Sequence, residues 1–472
     1  MKSLAGRTSP IVLCAFILVA GITSTAFAYW PGFMTWDAIR QYGQAVSGDF
    51  DDWHPPVMEW VWRQLSAIHP GPAPMLLLQL SLLWGGLATV AARAMRERPW
   101  LAVAIMTCGL MPVSLALTGE VLKDCLMAGA LLAVTGLIAW SDGNGRPIGR
   151  SVMGFALLLF ASTLRFNAFL AVVPLGLALL PPATCKTRLR VVVAALAVAA
   201  LSLAAMPIAN RLLGAKPSGV GLSLVIFDLG GITKFSGKNA FPPIADFDES
   251  DDPTGLVSAC YNPAQWDRYA WWGAAPCDIG FDNVSEAFAA RHINPYRWWL
   301  SQIAAHPIAY SEHRLAHFNI NTRLFSRDAG ERPVQIDAPP NEWGYKVTPG
   351  VVLSVIDTAA VWSAQTPLGW PIAWMALALS LVILSPSLRS HRIIAPLALS
   401  ALLYGMGYGV LSVASELRYH FWTILATAVA SVFAAADVSG GATVARSRWV
   451  MAAGPIAIVL GLCIAWRLAV MA

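Results

Sequence analysis

Four short polar stretches interrupt this 472-residue apolar chain, and they hold the residues whose types could do chemistry. The first reads Trp36-Asp37-Ala38-Ile39-Arg40-Gln41 and continues as Gly48-Asp49-Phe50-Asp51-Asp52-Trp53-His54-Pro55-Pro56. The others are Gly119-Glu120-Val121-Leu122-Lys123-Asp124, Arg165-Phe166-Asn167 and Ser415-Glu416-Leu417-Arg418-Tyr419-His420. Carboxylates of this kind can take a proton from a hydroxyl nucleophile or hold a divalent ion. Arg and Lys in low dielectric can bind a phosphate and stabilise it as it leaves. A site with both, open sideways to lipid, suits a substrate that is a lipid-linked phosphate. None of the stretches has a diagnostic spacing, and each has a plainer reading. Asp49, Asp51 and Asp52 can be a solvated loop, and Glu120 with Lys123 a structural i,i+3 pair. His54-Pro55-Pro56 can be a turn, and Arg418 beside Tyr419 an interfacial anchor.

The elements that must position these residues are membrane spans. Hydrophobic residues make up 57% of the chain and charged residues 12%, about half the charge of a soluble domain. This excludes a single soluble globular domain, a disordered chain and a nucleic-acid-binding module, and it predicts no nucleic-acid partner. Apolar segments recur near 10–29, 74–92, 99–118, 125–140, 151–164, 168–182, 191–211, 367–385, 393–413, 419–436 and 449–470, so an all-α polytopic membrane protein of about 11 transmembrane helices is expected. Every second connection is basic. Lys2 and Arg7 precede the first segment; Arg93, Arg96 and Arg98 follow the second, Arg146 and Arg150 the fourth, and Lys186, Arg188 and Arg190 the sixth. Arg389 and Arg392 follow the eighth, and Arg446 and Arg448 the tenth. The positive-inside rule then places the N-terminus inside, and the four polar stretches and one large segment outside. Ser24-Thr25-Ala26-Phe27-Ala28 resembles a signal-peptidase site; a retained first helix is the alternative, with the same topology.

Three parts follow: an N-terminal membrane module over 1–211 with its first outer loop at 30–73, an extracytoplasmic α/irregular domain over 212–350, and a C-terminal membrane module over 351–472. Within the domain, 246–252 reads as a solvated acidic loop, with a calcium site as the alternative, and Pro295 to Phe325 reads as amphipathic helix. Residues 351–365 suggest a further interfacial helix. Cys260 and Cys277 are the only cysteines in that domain, and a disulfide is their natural reading outside the cell.

The arrangement resembles the C-type integral-membrane glycosyltransferases, the GT-C group, which take sugars from polyprenyl-phosphate donors. The resemblance is carried by Asp37, by Asp51-Asp52-Trp53-His54-Pro55-Pro56, by the 119–124 turn and by Glu416-Leu417-Arg418-Tyr419. It covers roughly 10–210 and 367–470. It implies Asp37 as the catalytic carboxylate and Arg418 as a contact of the donor phosphate. On that reading Asp51 or Asp52 assists, by orienting the acceptor or holding a divalent ion. Lys123 and Arg165 join Arg418 on the phosphate, and His54 hydrogen-bonds phosphate or sugar. Glu120, Trp53 and Tyr419 are candidate acceptor or sugar contacts. No cofactor motif is present, the metal requirement stays open, and the acceptor is a glycan, a lipid or a protein. The location implied is a bacterial cytoplasmic membrane. The large domain lies between the seventh and eighth segments, whereas several family members carry theirs at the C-terminus. Two rivals remain. A polysaccharide polymerase or ligase would lean on Arg291, His292, His313, Arg314 and His317 of the domain. A transporter would need broken helices in repeated positions, and only Arg165-Phe166-Asn167 offers one.

Overall fold

The computed structural model describes residues 2–140, 148–243, 255, 260–272, 277, 279–326 and 339–471. Among them the chain is helical and has no strands. It divides into two compact units: Met1–Lys216 with Asp328–Met406 and Leu417–Ala472, and Pro217–Arg327 with Gly407–Glu416.

The first unit opens with α1 (Lys2–Tyr29), α2 (Trp36–Ser47), α3 (Pro56–Ser66) and α4 (Ala73–Met95). There follow α5 (Pro99–Thr107), α6 (Pro112–Gly119), α7 (Lys123–Ala139), α8 (Ile148–Ser162), α9 (Phe169–Leu179) and α10 (Arg188–Leu212). The second unit holds α11 (Gly221–Ser236), α12 (Phe281–Ala290), α13 (Pro295–Ala305) and α14 (Pro307–Thr322). The first unit resumes with α15 (Val351–Ala364), α16 (Pro371–Leu384), α17 (His391–Gly407), α18 (Phe421–Ser439) and α19 (Arg446–Met471).

All eleven apolar segments are helical, yet fewer than eleven are long enough to span. Ser9–Tyr29, Ala73–Met95, Arg188–Leu212, Leu417–Ser439 and Arg446–Val470 qualify by length and hydropathy, which makes this a multi-pass membrane protein. The 99–118 segment is broken before Pro112 into two pieces bent by 54°, and counts as a sixth span if taken whole. Helices α7, α8, α9, α16 and α17 run to 17, 15, 11, 14 and 17 residues. At 1.5 Å per residue they reach roughly 16–26 Å, short of a hydrocarbon core of about 30 Å.

The core of the first unit is α4 against α7. A Cβ on Gly86 would lie 2.9 Å from the backbone nitrogen of Ala133, so only glycine lets the two helices approach this closely. Leu80, Leu83, Trp84 and Leu87 of α4 and Leu126, Ala130, Leu131 and Val134 of α7 are buried in the packed region. A helix apolar on all sides, as α7 is, must be enclosed by others.

The second unit is smaller than the 212–350 domain expected: it starts at Pro217 and takes in the return segment Gly407–Glu416, while 339–350 belong with the first unit. The amphipathic run from Pro295 splits at His306, where Pro307 starts a new helix. Cys260 and Cys277 are joined as a disulfide, with Cα atoms 5.7 Å apart. The buried centre is Asp228 of α11. It pairs with Arg314 at 2.6 Å, accepts from Trp299 Nε1 at 2.7 Å, and lies 3.1 Å from His313 Nε2. His313 Nδ1 is 2.8 Å from the Tyr261 hydroxyl, and Arg314 donates to the Ser412 carbonyl at 2.7 Å. Residues 246–252 lie outside the described residues.

Candidate active site

The 30–73 loop is an ordered pair of helices. Thr35 caps α2 by accepting from the Ala38 amide at 3.3 Å, which sets Asp37 in the first turn, where free amides favour a carboxylate. Ala38, Gln41, Tyr42, Gln44 and Ala45 form the buried face of α2. The helix ends at Gly48, whose φ of 78° belongs to the left-handed region and turns the chain back. Asp51 then ties the returning chain to α2. Its carboxylate accepts from Arg40 at 2.5 Å, from Gln44 at 2.8 Å and from the Trp53 amide at 2.9 Å. Pro55 and Pro56 start α3, and the residue before a proline is held extended, which fixes His54.

The second stretch arrives beside the first through backbone pairing. Phe33 donates to the Gly119 carbonyl at 3.2 Å, and Val121 donates to the Phe33 carbonyl at 2.9 Å. This leaves Lys123 and Asp124 in the first turn of α7. Arg165 lies at the turn between α8 and α9, and Arg418 and Tyr419 in the short 3-10 turn before α18.

These scattered residues converge. Arg418 donates to Asp37 Oδ2 at 3.0 Å, and Lys123 Nζ lies 4.0 Å from the same atom. His54 Nε2 is 3.7 Å from Asp37 Oδ1, while its Nδ1 accepts from Lys123 at 2.8 Å. Arg165 pairs with Asp124 at 3.2 Å, and its guanidinium lies over the Tyr419 ring at 4.4 Å; Arg418 lies 5.5 Å from that ring. The Asp37 side chain is 31% exposed, whereas those of Arg418, Lys123 and His54 are nearly buried. One carboxylate therefore sits at the mouth of a buried cationic floor.

Burial alone would raise the Asp37 carboxyl, but Arg418, His54, Lys123 and Arg165 outweigh it and hold the group well below the usual carboxylate range. His54 moves the other way. Burial, with Lys123, Arg40 and Arg418 nearby, lowers it to about 3 against the pull of Asp37, so the ring is neutral at physiological pH.

Of the residues singled out from sequence, the structure gathers Asp37, His54, Lys123, Arg165, Arg418 and Tyr419. Asp51 stands one step back, as the tie between α2 and the loop. Asp52 donates its amide to the Lys216 carbonyl at 3.1 Å, which joins the loop to the residues after α10. Trp53 donates its amide to Asp51. Glu120 is buried at 3% exposure, in the segment paired with Phe33, and its carbonyl accepts from Gln79 at 2.6 Å. In the second unit, His313 and Arg314 turn inward to Asp228, and His317 Nδ1 donates to the Pro263 carbonyl. They form no outward-facing set. Sequence reasoning missed Glu59 of α3, which is fully buried. The available signal was a carboxylate three residues from Pro56 and from Trp62, on the helix's apolar face.

Among the described residues no three His, Cys, Asp or Glu side chains stand where they could hold a metal ion.

No protein-family model and no curated protein matches the chain. Among solved structures it is similar to the oligosaccharyltransferase AglB of Archaeoglobus fulgidus, determined with an inhibitory peptide and a dolichol-phosphate, at 12% identity and a TM-score of 0.40. The match covers 98% of this chain and 56% of that one, so this chain spans about half the length of its neighbour.

Proposed function

We propose that this protein is a membrane glycosyltransferase, moving a sugar from a polyprenyl-phosphate donor to an acceptor hydroxyl on the outer face of a bacterial cytoplasmic membrane. The observation that carries this is the Asp37 carboxylate held over Arg418, Lys123 and Arg165. Three cations face two carboxylates, Asp37 and Asp124, which leaves one positive charge, the complement of one phosphodiester.

The electrostatics suggest an order of events. In the resting site Asp37 is a weak base, because the cations stabilise its ionised form. A donor phosphate that binds Arg418 and Lys123 claims those charges, and the proton affinity of Asp37 rises. Asp37 then takes the acceptor's proton as the hydroxyl oxygen bonds to the anomeric carbon. The bond from that carbon to the phosphate oxygen breaks, and the electron pair leaves with the polyprenyl phosphate. Arg418 and Lys123 stabilise this charge as it develops. His54, neutral and bonded to Lys123, keeps the ammonium beside Asp37. The acceptor is a glycan, lipid or protein hydroxyl, and the pattern of charges favours no one of them.

Purified protein in liposomes, offered a panel of radiolabelled polyprenyl-phosphate sugars with membrane extract as acceptor, tests this. Consumption of one donor with release of its polyprenyl phosphate supports the reading. Folded protein that consumes none of them overturns it.

A further inference from the structure

Gln79 stands early in α4, a span whose buried residues are otherwise apolar, and it is itself only 1% exposed. A polar side chain at such a place must find partners inside the protein. Its amide finds three. Nε2 donates to the Thr118 carbonyl at 2.7 Å and to the Glu120 carbonyl at 2.6 Å, and Oε1 accepts from the Leu122 amide at 3.4 Å. The chain between α6 and α7 is extended here, with Glu120 at φ −84° and ψ 137° and Leu122 at φ −130° and ψ 137°. Successive residues of an extended chain turn their backbone groups to opposite edges. One edge, through the Gly119 carbonyl and the Val121 amide, pairs with Phe33. The other edge, through residues 118, 120 and 122, is taken by Gln79 alone among the printed partners of those groups. A primary amide suits this place because it donates twice and accepts at once. The next residue is Lys123, the first of α7, whose ammonium is 2.8 Å from His54 Nδ1 and 4.0 Å from Asp37 Oδ2.

We propose that Gln79 is a positioning residue for Lys123: by closing the second edge of the 118–122 segment it fixes where α7 begins, and so holds the Lys123 ammonium beside His54 and Asp37. Its role in donor use rests on the reading of Lys123 as a donor-phosphate contact. Without the amide, two carbonyls would face the apolar interior of α4, and buried backbone groups do not stay unpaired. The segment would shift to satisfy them, and the residue that follows it would shift too. Gln79 acts through this backbone and does not touch the reacting atoms.

The test is a double-mutant cycle on farnesyl phosphate binding to the full-length protein in nanodiscs, with Gln79→Met, which keeps the shape but has no donor, and Lys123→Met. Lys123→Met should weaken binding about tenfold and Gln79→Met about fivefold. In the Lys123→Met background Gln79→Met should cost less than about a further twofold, because the group it positions is gone. Losses that multiply overturn the proposal, and so does native affinity in folded Gln79→Met. Should Gln79→Met not fold, Gln79→Glu, which keeps length and shape, takes its place in the cycle. A second readout needs no donor: labelling by acetic anhydride at Lys123, whose side chain is 11% exposed, relative to exposed Lys238, followed by mass spectrometry. That ratio should rise about fivefold in Gln79→Met and stay within about twofold of native in Leu83→Ala, which loosens the packing of the same helix but leaves Gln79 in place. An unchanged ratio in Gln79→Met, or an equal rise in Leu83→Ala, overturns the positioning role. If the native chain does not bind farnesyl phosphate, the phosphate-lipid reading falls, and the labelling alone decides whether Gln79 positions Lys123.

Discussion

Replacing Arg418 with alanine removes the closest cation from Asp37. In the resting protein the 3.0 Å bond to a carboxylate 31% exposed is screened by water, and Lys123 and His54 remain beside Asp37. Losing the pair should therefore cost no more than about 1 kcal/mol of stability. The effect on donor use should be larger. One charge-assisted hydrogen bond to a phosphate contributes about 1.5–3 kcal/mol, which corresponds to a fall of about 10- to 150-fold in kcat/KM for the donor. Two consequences act in opposite directions on kcat. The leaving phosphate loses a stabilising charge, while Asp37, freed of its strongest counter-ion, becomes a better base. The loss should then appear mainly as a raised KM for the donor. Arg418→Lys keeps the charge but not the planar fork that matches phosphate oxygens, so it should recover only part of the loss. Initial rates at varied donor and fixed acceptor concentration make the measurement. A kcat/KM unchanged within about twofold, or a loss confined to the acceptor KM, would refute the phosphate role of Arg418.

Two further perturbations address the second unit. Asp228→Ala leaves the buried Arg314 and His313 without their shared carboxylate and should destabilise by about 3–5 kcal/mol. A melting temperature equal to that of the native chain would remove Asp228 as the centre of that unit. Cys260→Ser opens a link between residues 17 apart in sequence and should cost about 3 kcal/mol in denaturant unfolding. A non-reducing gel shift that persists in this variant would argue against the pairing with Cys277.

Much of the site was legible because charge is rare in this chain. When so few residues are ionisable, polar turns at matching ends of apolar segments have little choice but to meet, and Asp37, His54, Lys123, Arg165 and Arg418 do so. The eleven apolar segments were also readable, but their capacity to span was not. Hydropathy does not register that Pro112 bends one segment by 54°, or that the α8–α9 pair turns at Arg165-Phe166-Asn167 after only 15 residues of helix. The loop at 30–73 hid two helices, since α2 and α3 are short and each turns only a narrow face inward. Asp51 and Asp52 looked like chemistry because acidic pairs can do it. Only three-dimensional contacts show Asp51 tied to Arg40, Gln44 and the Trp53 amide. Glu59 shows the converse, because its one signal in sequence is its spacing from Pro56 and Trp62 on the apolar face of a short helix.

The measurement that bears most directly on the proposed glycosyl transfer at Asp37 is donor turnover by the native chain and by Asp37→Asn, in the same liposomes with the same donor and acceptor. Asparagine keeps the shape but cannot take a proton, and a general base contributes about 10²–10⁴-fold. Release of polyprenyl phosphate should fall by that factor while farnesyl phosphate still binds, because Arg418, Lys123 and Arg165 remain. Native-like turnover in Asp37→Asn would contradict the central role given to this carboxylate.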